Sequence, residues 1–184
     1  MGHRNREIES KLEIIGYDLE QINYFLHHKF SPSVSKMLFG SSTDTYWTIP
    51  DRRAQADFFR VRERDGIRQI TVKGKDKGLT TDRLEIDVDS TSSFETIYKL
   101  GCAMYGEPAG RIAKTYYVYW LNKTDTVCCY KLTEPQDPRI FVEVEASSSS
   151  KMLDLEAKVL DLLSEQHIKC ERSAGSLYEM FLEP

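Results

Sequence analysis

The sequence predicts an α+β fold: a closed antiparallel eight-stranded β-barrel with helices packed outside it. Eight segments alternate apolar and polar residues with the period of two that is typical of strands. Three further segments carry apolar residues at helical spacing. In five of the strands the polar positions carry mainly charges, which a plain solvent-facing sheet does not require. We expect a single domain over residues 6–184, with residues 1–5 a leader or a vector-derived remnant.

The composition disfavours several classes of protein. The chain has 184 residues, 40% of them hydrophobic, which is enough for one folded domain. Its formal net charge of -4 disfavours a general nucleic-acid binder, which usually carries a basic excess. The N-terminus lacks a signal-peptide hydrophobic run, and no stretch reaches the roughly 20 apolar residues that span a bilayer. The four cysteines form no CxxC pair. We therefore expect reduced thiols, a cytoplasmic location, and neither nucleic acid nor membrane as a partner.

The alternation of apolar and polar residues locates the strands in order. They are predicted over about residues 6–15, 43–49, 56–64, 67–74, 82–89, 111–121, 126–132 and 139–146. Gly66 suits a tight hairpin turn between the third strand and the fourth. Residues 30–43 are expected to form a mobile connection.

Three amphipathic helices are predicted between and after the strands, over about residues 18–28, 92–104 and 151–166. Ser150 is a suitable N-cap for the last of them. Each helix has an apolar stripe that needs a partner, and the strands supply one because they present Ile, Leu and Val on one face. If the stripes cover that face from outside, the charged face of the sheet is left inside the barrel.

The charged faces of five strands carry the functional argument. Side chains two residues apart share a face, and here they form same-sign groups. The charged faces include Glu7, Glu9 and Lys11; Arg60, Arg62 and Arg64; Thr71 and Lys73; Arg83, Glu85 and Asp87; and Glu143 and Glu145. Exposure to solvent is the ordinary interpretation of any one such strand. Like charges on one face repel, however, so a plain surface gains nothing from the pattern.

A metal-bound polyphosphate explains this segregation of charge. Paired carboxylates suit a hard divalent cation, which prefers oxygen ligands. Paired arginines grip phosphate in a bidentate fork. With Lys114 included, seven cations face six acids, so the wall of the barrel is close to neutral. Near-neutrality alone would also permit a structural network, but the separation of signs favours a ligand.

At these residues the chain resembles the CYTH superfamily, also called triphosphate tunnel metalloenzymes. Members include class IV adenylate cyclases, thiamine triphosphatases and inorganic tripolyphosphatases. Their N-terminal ExExK hallmark is similar to Glu7-Ile8-Glu9-Ser10-Lys11. The similar motifs that follow are Asp44-Thr45-Tyr46, Arg60-Val61-Arg62, Thr71-Val72-Lys73-Gly74, Arg83 to Asp87 as RxExD, Glu143 to Glu145 as ExE, and Ser176-Leu177-Tyr178 at the end. The likeness covers about residues 6–184 and supports the barrel fold.

The resemblance implies a role for each matching residue. Its metal ligands for Mg²⁺ or Mn²⁺ would be Glu7, Glu9, Glu143 and Glu145. Its substrate-binding residues would be Arg60, Arg62, Lys73, Arg83 and Lys114, all gripping phosphate. Its catalytic residues would be Lys11 near the reacting phosphoryl group, with Glu9 and Glu85 supporting the metal or its water. Asp87, like Glu85, would support the metal or its water.

Two positions depart from the family pattern. The sixth strand often carries Lys-x-Arg in the family, but here it has Lys114-Thr115-Tyr116, which lacks one cation. The strand before the final ExE tends to carry an Asp, but here it has Val127-Cys128-Cys129-Tyr130-Lys131. These changes imply altered substrate handling, a differently shaped tunnel mouth, or loss of activity.

Three functions remain open from the sequence. The first is a metal-dependent hydrolase of a triphosphate, whether inorganic tripolyphosphate, thiamine triphosphate or a nucleoside triphosphate. The second is a class IV adenylate cyclase that makes cyclic AMP and pyrophosphate from ATP. The third is a protein that binds a nucleotide or polyphosphate without turning it over. The partner expected in every case is a small molecule containing triphosphate or polyphosphate, and a homodimer is left open.

Overall fold

The computed structural model describes residues 3–50, 56–74, 81–134, 138–173 and 175–182, with side chains described except at 3–7, 56 and 81–84. Its nine strands are β1 (His3–Ile15), β2 (Lys36–Thr48), β3 (Ala56–Arg64), β4 (Ile67–Gly74), β5 (Thr81–Ser90), β6 (Gly110–Trp120), β7 (Thr126–Glu134), β8 (Ile140–Glu145) and β9 (Lys169–Arg172). Its helices are α1 (Leu19–Phe30), a 3₁₀ turn (Ser31–Ser33), α2 (Phe94–Tyr105), α3 (Ser149–Glu165) and α4 (Leu177–Phe181).

All nine described strands belong to one antiparallel sheet in the order β5-β4-β3-β2-β6-β7-β8-β1-β9. Strand β1 is long enough to pair with several neighbours. Its N-terminal half pairs with β5, joining residues His3 to Glu9 with Thr81 to Asp87. Its second half lies between β8 and β9 and pairs with both of them, with β8 on one side and β9 on the other. This register places Glu9 opposite Glu145 and Lys11 opposite Glu143.

The antiparallel sheet and the three long helices are confirmed, but the count of eight strands is wrong. The four-residue strand β9 is too short to show a period in the sequence, and it forms against the end of β1. Residues 30–43 are not a mobile connection: β2 begins at Lys36, and Lys36 to Tyr46 pairs with β6. Pairing with β6 satisfies this backbone despite the small residues around Gly40.

Other local predictions have mixed outcomes. Gly66 has φ +76° in the hairpin between β3 and β4, as expected for a residue that must adopt a left-handed backbone. The N-cap of α3 is Ser148 in place of Ser150: its side chain accepts a hydrogen bond from the Lys151 amide. In the described part of the chain, no helix is long and apolar enough to cross a membrane.

Two hydrophobic cores lie on the outer face of the sheet. In the larger, α1 and α3 cover β1, β7 and β8, so that Ile22 and Val159 pack with Leu12 and Val142. In the smaller, α2 covers β2 and β3, and Trp47 packs against Ile97. The predicted helix stripes therefore meet the outward residues of the strands, which leaves the opposite face for the charges.

A third hydrophobic core lies on the inner face, so the inner face is not charged throughout as predicted. Tyr46 and Phe58 occupy the same strand faces as the charges but join an aromatic cluster with Phe141. The short helix α4 adds Leu177 and Tyr178 to it, and the Tyr178 hydroxyl lies 2.6 Å from Thr48 Oγ1. One end of the interior is therefore apolar and packed, and the charges occupy the rest.

An ion pair between buried Glu156 and partly exposed Arg172 joins α3 to the sheet and yields a stability prediction. Glu156 is 2% exposed and accepts two hydrogen bonds from Arg172, at 2.8 and 2.5 Å, and one from Ser10 Oγ. Arg172→Ala leaves this carboxylate buried without its cation, but Arg172 itself is 45% exposed, so we expect a loss of about 2 kcal/mol in the free energy of unfolding, below the range for a fully buried pair. Urea denaturation measures it.

The exposed pair between Lys99 and Glu95 is the matched control. It spans one turn of α2, and both side chains are more than two-thirds exposed. Lys99→Ala should change the free energy of unfolding by less than about 0.5 kcal/mol. Equal effects of the two substitutions would contradict a structural role for the Glu156–Arg172 pair.

Candidate functional site

A cavity of about 310 Å³ opens on the charged inner face of the sheet. All the predicted site residues whose side chains are described line it together. These are Glu9, Lys11, Arg60, Arg62, Lys73, Glu85, Lys114, Glu143 and Glu145. The side chains of Glu7 and Arg83 lie outside the described residues, although the backbone register sets these two positions opposite each other on β1 and β5. The roles of all eleven residues stay predictions, but the sequence pattern does bring nine of them to one cavity.

The cationic wall of the cavity is built by β3 and β4. Arg60 donates a hydrogen bond to Thr71 Oγ1 at 2.9 Å and lies 3.6 Å from Glu85. Lys73 lies 3.2 Å from the same carboxylate. Thr71 in turn donates to Asp87 Oδ1 at 2.6 Å. Glu85, directly, and Asp87, through Thr71, therefore hold the cations in fixed positions.

Asp44 is the residue whose role sequence reasoning missed. It is fully buried behind the wall, opposite Arg62 in the β2–β3 register, and accepts two hydrogen bonds from Arg62, both at 2.7 Å. Arg60 Nη1 lies 3.9 Å away. Burial by itself raises the pKa of Asp44, but the charge and hydrogen bonds of Arg62 outweigh it and hold that pKa well below its usual value. Asp44 is therefore a carboxylate anion that orients the arginines.

The sequence contained a signal for this role. Asp44 shares a face with Tyr46 two residues later, and that face turns inward. A single acid on a strand that pairs with an Arg-x-Arg strand is a candidate counter-ion for one of those arginines. Only the pairing register shows that the partner of Asp44 is Arg62.

Lys11 is held by the turn that precedes α4. Its Nζ donates to the backbone carbonyl of Gly175 at 3.3 Å and lies 3.8 Å from Glu9. Both Lys11 and Glu9 are almost completely buried. The C-terminal segment therefore fixes a cation at the boundary between the cationic wall and the carboxylates.

The carboxylates of β1 and β8 form the opposite part of the cavity. Glu9 and Glu145 are direct neighbours across the two strands. Burial, and then the charge of Glu9, raises the pKa of Glu145 to about 8. Such crowded, desolvated carboxylates gain from a hard cation between them, so the donor chemistry fits Mg²⁺ or Mn²⁺. Among the described residues, no three His, Cys, Asp or Glu side chains already converge closely enough to hold a metal.

The two departures from the family pattern turn out to be neighbours. Tyr116 on β6 lies directly opposite Tyr130 on β7, and both are buried in the inner aromatic cluster. Tyr116 therefore puts an aromatic ring in this cluster at the position where the resembled family often has an Arg. Lys114 remains on the wall with its Nζ 4.7 Å from the centre of the Tyr130 ring. Burial, followed by the charge of Arg62, lowers the pKa of Lys114 to about 8.

Comparison with known proteins identifies relatives by structure alone. No protein-family model matches the chain, and no curated protein matches it. A conserved hypothetical protein from Pyrococcus furiosus superposes with a TM-score of 0.68 at 19% identity, over 95% of this chain and 99% of that one. A putative adenylate cyclase from Bacillus halodurans gives 0.67 at 14% identity, over 98% and 99%.

A third similar structure is the putative adenylyl cyclase from Hippeastrum, which is described as having a dominant triphosphatase activity. Its TM-score is 0.63 at 16% identity, over 95% of this chain and 94% of that one. Identities of 14 to 19% establish the fold and nothing finer. The chain shares its fold with these three structures, two of which are named as putative adenylate or adenylyl cyclases, the kind of protein that its motifs resemble.

Proposed function

We propose that this protein is a divalent-metal-dependent hydrolase of a triphosphate bound in the charged cavity. The observation that carries the proposal is that a row of cations and a pair of crowded carboxylates line one cavity. Arg60, Arg62 and Lys73 lie on one part of its wall, and Glu9 and Glu145 lie on another. This is the arrangement that a polyphosphate with its metal ion requires. The Hippeastrum structure, described as a triphosphatase, supports it by analogy of fold.

The cavity is proposed to be a tunnel within a closed barrel. Support comes from the double pairing of β1, which contacts β8 through its second half and β5 through its first half. Helix α4 and the inner aromatic cluster would block one end, so that substrate enters from the other.

The cations would bind the phosphate chain and hold it in line for attack. The Arg62 guanidinium is oriented by Asp44 and that of Arg60 by Thr71, so both arginines are positioned before the substrate arrives. Preorganised cations stabilise the charge of the transferring phosphoryl group without reorganising during the reaction. Lys11, fixed by Gly175, would contact the reacting phosphoryl group.

The metal would be held by Glu7, Glu9, Glu143 and Glu145. When bound, it supplies Lewis-acid polarisation of a phosphoryl oxygen. Glu9 would also orient the attacking water, as a buried carboxylate within the cavity. Glu85 was predicted to share this task, but its contacts with Lys73 and Arg60 favour a positioning role for it.

Product analysis tests the proposal. The protein is incubated with tripolyphosphate, ATP and thiamine triphosphate, with Mg²⁺ or Mn²⁺ or with chelator, and the products are identified. We expect orthophosphate from at least one substrate, and only when metal is present. Pyrophosphate together with cyclic AMP would establish the cyclase instead. Tight binding without either product would establish a binding protein, and no binding at all would contradict all three functions.

A further inference from the structure

The predicted metal ligand Glu145 is the last residue of β8. Glu9 lies directly opposite it on β1, and like charges in that arrangement destabilise the pairing of two strands. On its other side, Glu145 lies opposite Thr126 in the last pair of β8 with β7. The end of a strand opens more easily than its middle, so Glu145 needs an anchor beyond the strand to keep facing the cavity.

Two hydrogen bonds supply that anchor just after Glu145. The Ala146 amide donates to the Ile8 carbonyl of β1 at 3.0 Å, which is an ordinary bond between backbone groups. The Ser147 amide donates to Asp125 Oδ1, also at 3.0 Å. Asp125 immediately precedes β7, so its carboxylate extends the contact between β7 and β8 beyond their last backbone pair.

The Asp125 carboxylate is itself held in one position. Asp125 is 7% exposed and accepts hydrogen bonds from Asn122 Nδ2 at 2.6 Å and from Thr124 Oγ1 at 3.0 Å. Burial by itself raises the pKa of Asp125, but the hydrogen bonds from Asn122 and Ser147 outweigh it and lower that pKa to about 2. Asp125 is therefore an anion of fixed position, and it lies outside the lining of the cavity.

The turn between β6 and β7 is closed by bonds that do not use the Asp125 side chain. The Leu121 amide donates to the Asp125 carbonyl at 3.0 Å. Asn122 Oδ1 accepts from the amides of Thr124 and Asp125 at 2.8 and 2.9 Å. The carboxylate instead connects this turn to the segment that follows Glu145.

We propose, resting on the function proposed above, that Asp125 is a positioning residue for the metal site. By holding Ser147, it keeps Glu145 turned toward the cavity against the repulsion of Glu9, in the geometry that binds a divalent cation. Replacing a residue that supports metal ligands commonly weakens metal binding by about 10- to 100-fold. Asp125 acts through the backbone and not on the Glu145 carboxylate itself, so we expect the lower end of that range.

Binding of Mn²⁺ alone, measured by the loss of the free-ion EPR signal, tests the inference without turnover. Asp125→Ala should raise the Kd of Mn²⁺ about tenfold. Asp125→Asn keeps an acceptor for the Ser147 amide and should recover most of the affinity. Lys151→Ala is the matched control. The Lys151 side chain is 58% exposed and its Nζ lies 3.8 Å from the Asp125 carboxylate, so this variant should leave the Kd within about twofold.

A double-mutant cycle with Glu145→Gln separates positioning from a general loss of structure. If Asp125 acts through Glu145, Asp125→Ala should change the Kd by less than about twofold in the Glu145→Gln background. A loss of about tenfold in both backgrounds, or in neither, would overturn the inference. Should Asp125→Ala not fold, Ser147→Pro removes the amide donor and leaves the carboxylate in place, and the same cycle applies to it.

The outcomes distinguish this inference from the proposed function. If Glu145→Gln weakens Mn²⁺ binding but Asp125→Ala does not, only the inference is wrong. If Glu145→Gln leaves Mn²⁺ binding unchanged, Glu145 is not a metal ligand, and the metal assignment and this inference both fail. If the wild type binds no Mn²⁺ in the absence of a triphosphate, the inference fails, and the metal dependence found by product analysis decides the proposed function separately.

Discussion

Replacing Asp44 by asparagine should destabilise the protein by about 3 to 5 kcal/mol, the range for removing one partner of a buried ion pair. Asp44 is fully buried and is the counter-ion of Arg62, with Arg60 nearby. The amide keeps the shape of the side chain but not its charge. The variant therefore holds buried cations that no longer have their anion, and its free energy of unfolding falls.

The pH dependence of this loss has a definite sign. The pKa of Asp44 is lowered in the folded protein from an ordinary 3.8, so its contribution to stability is present above that value and is lost as the pH falls toward the folded pKa. The difference between wild type and Asp44→Asn should be constant above about pH 5 and shrink below about pH 4. Urea denaturation across this pH range measures it.

Binding of tripolyphosphate should restore part of the stability that Asp44→Asn loses. Tripolyphosphate supplies negative charge beside the same arginines, so it should raise the melting temperature of Asp44→Asn by more than that of the wild type. A variant within about 0.5 kcal/mol of the wild type, with no change in its pH profile, would contradict the role of Asp44 as counter-ion.

Replacing Glu9 by glutamine should reduce metal-dependent turnover by about a hundredfold or more, because several kcal/mol of charge stabilisation depend on the metal. Glu9 is 3% exposed, lies across from Glu145 and helps to raise its pKa. The substitution relieves that repulsion while weakening the contact with Lys11, so the fold should be retained. Turnover at varied Mg²⁺ and a melting curve measure the two effects.

Glu95→Gln is the matched control for this substitution. Glu95 has a side chain that is 76% exposed on α2, away from the cavity lining, and its loss should leave turnover and melting temperature unchanged. Full metal-dependent activity in Glu9→Gln would refute the assignment of the carboxylates to the metal.

The sequence predicted the charged face of the cavity because strand alternation is a local property. Arg60 and Arg62 must share a face whatever the fold, and the same holds for Glu143 and Glu145. Which strands are neighbours is not local. The ion pair of Asp44 with Arg62 depends on the register of β2 with β3, and the cross-strand pair of Tyr116 and Tyr130 depends on that of β6 with β7. No single segment of the sequence encodes these registers.

The packed end of the interior was missed for a different physical reason. Helix α4 has five residues, too few for a helical period, and its local signal is the capping box formed by Ser176 and Glu179. Tyr46 and Phe58 occupy the same alternating positions as charged residues, so they read as exceptions to a pattern. Only the folded chain shows that these exceptions meet Leu177 and Tyr178 in one cluster.

A crystal structure with bound tripolyphosphate and Mg²⁺ tests the central claim most directly, because it shows where the phosphates lie. We expect phosphate oxygens within about 3 Å of Arg60, Arg62 and Lys73, and metal at the glutamates of β1 and β8. Phosphate bound elsewhere on the protein, or a cavity that stays empty at saturating ligand, would contradict the assignment of this cavity as a triphosphate site.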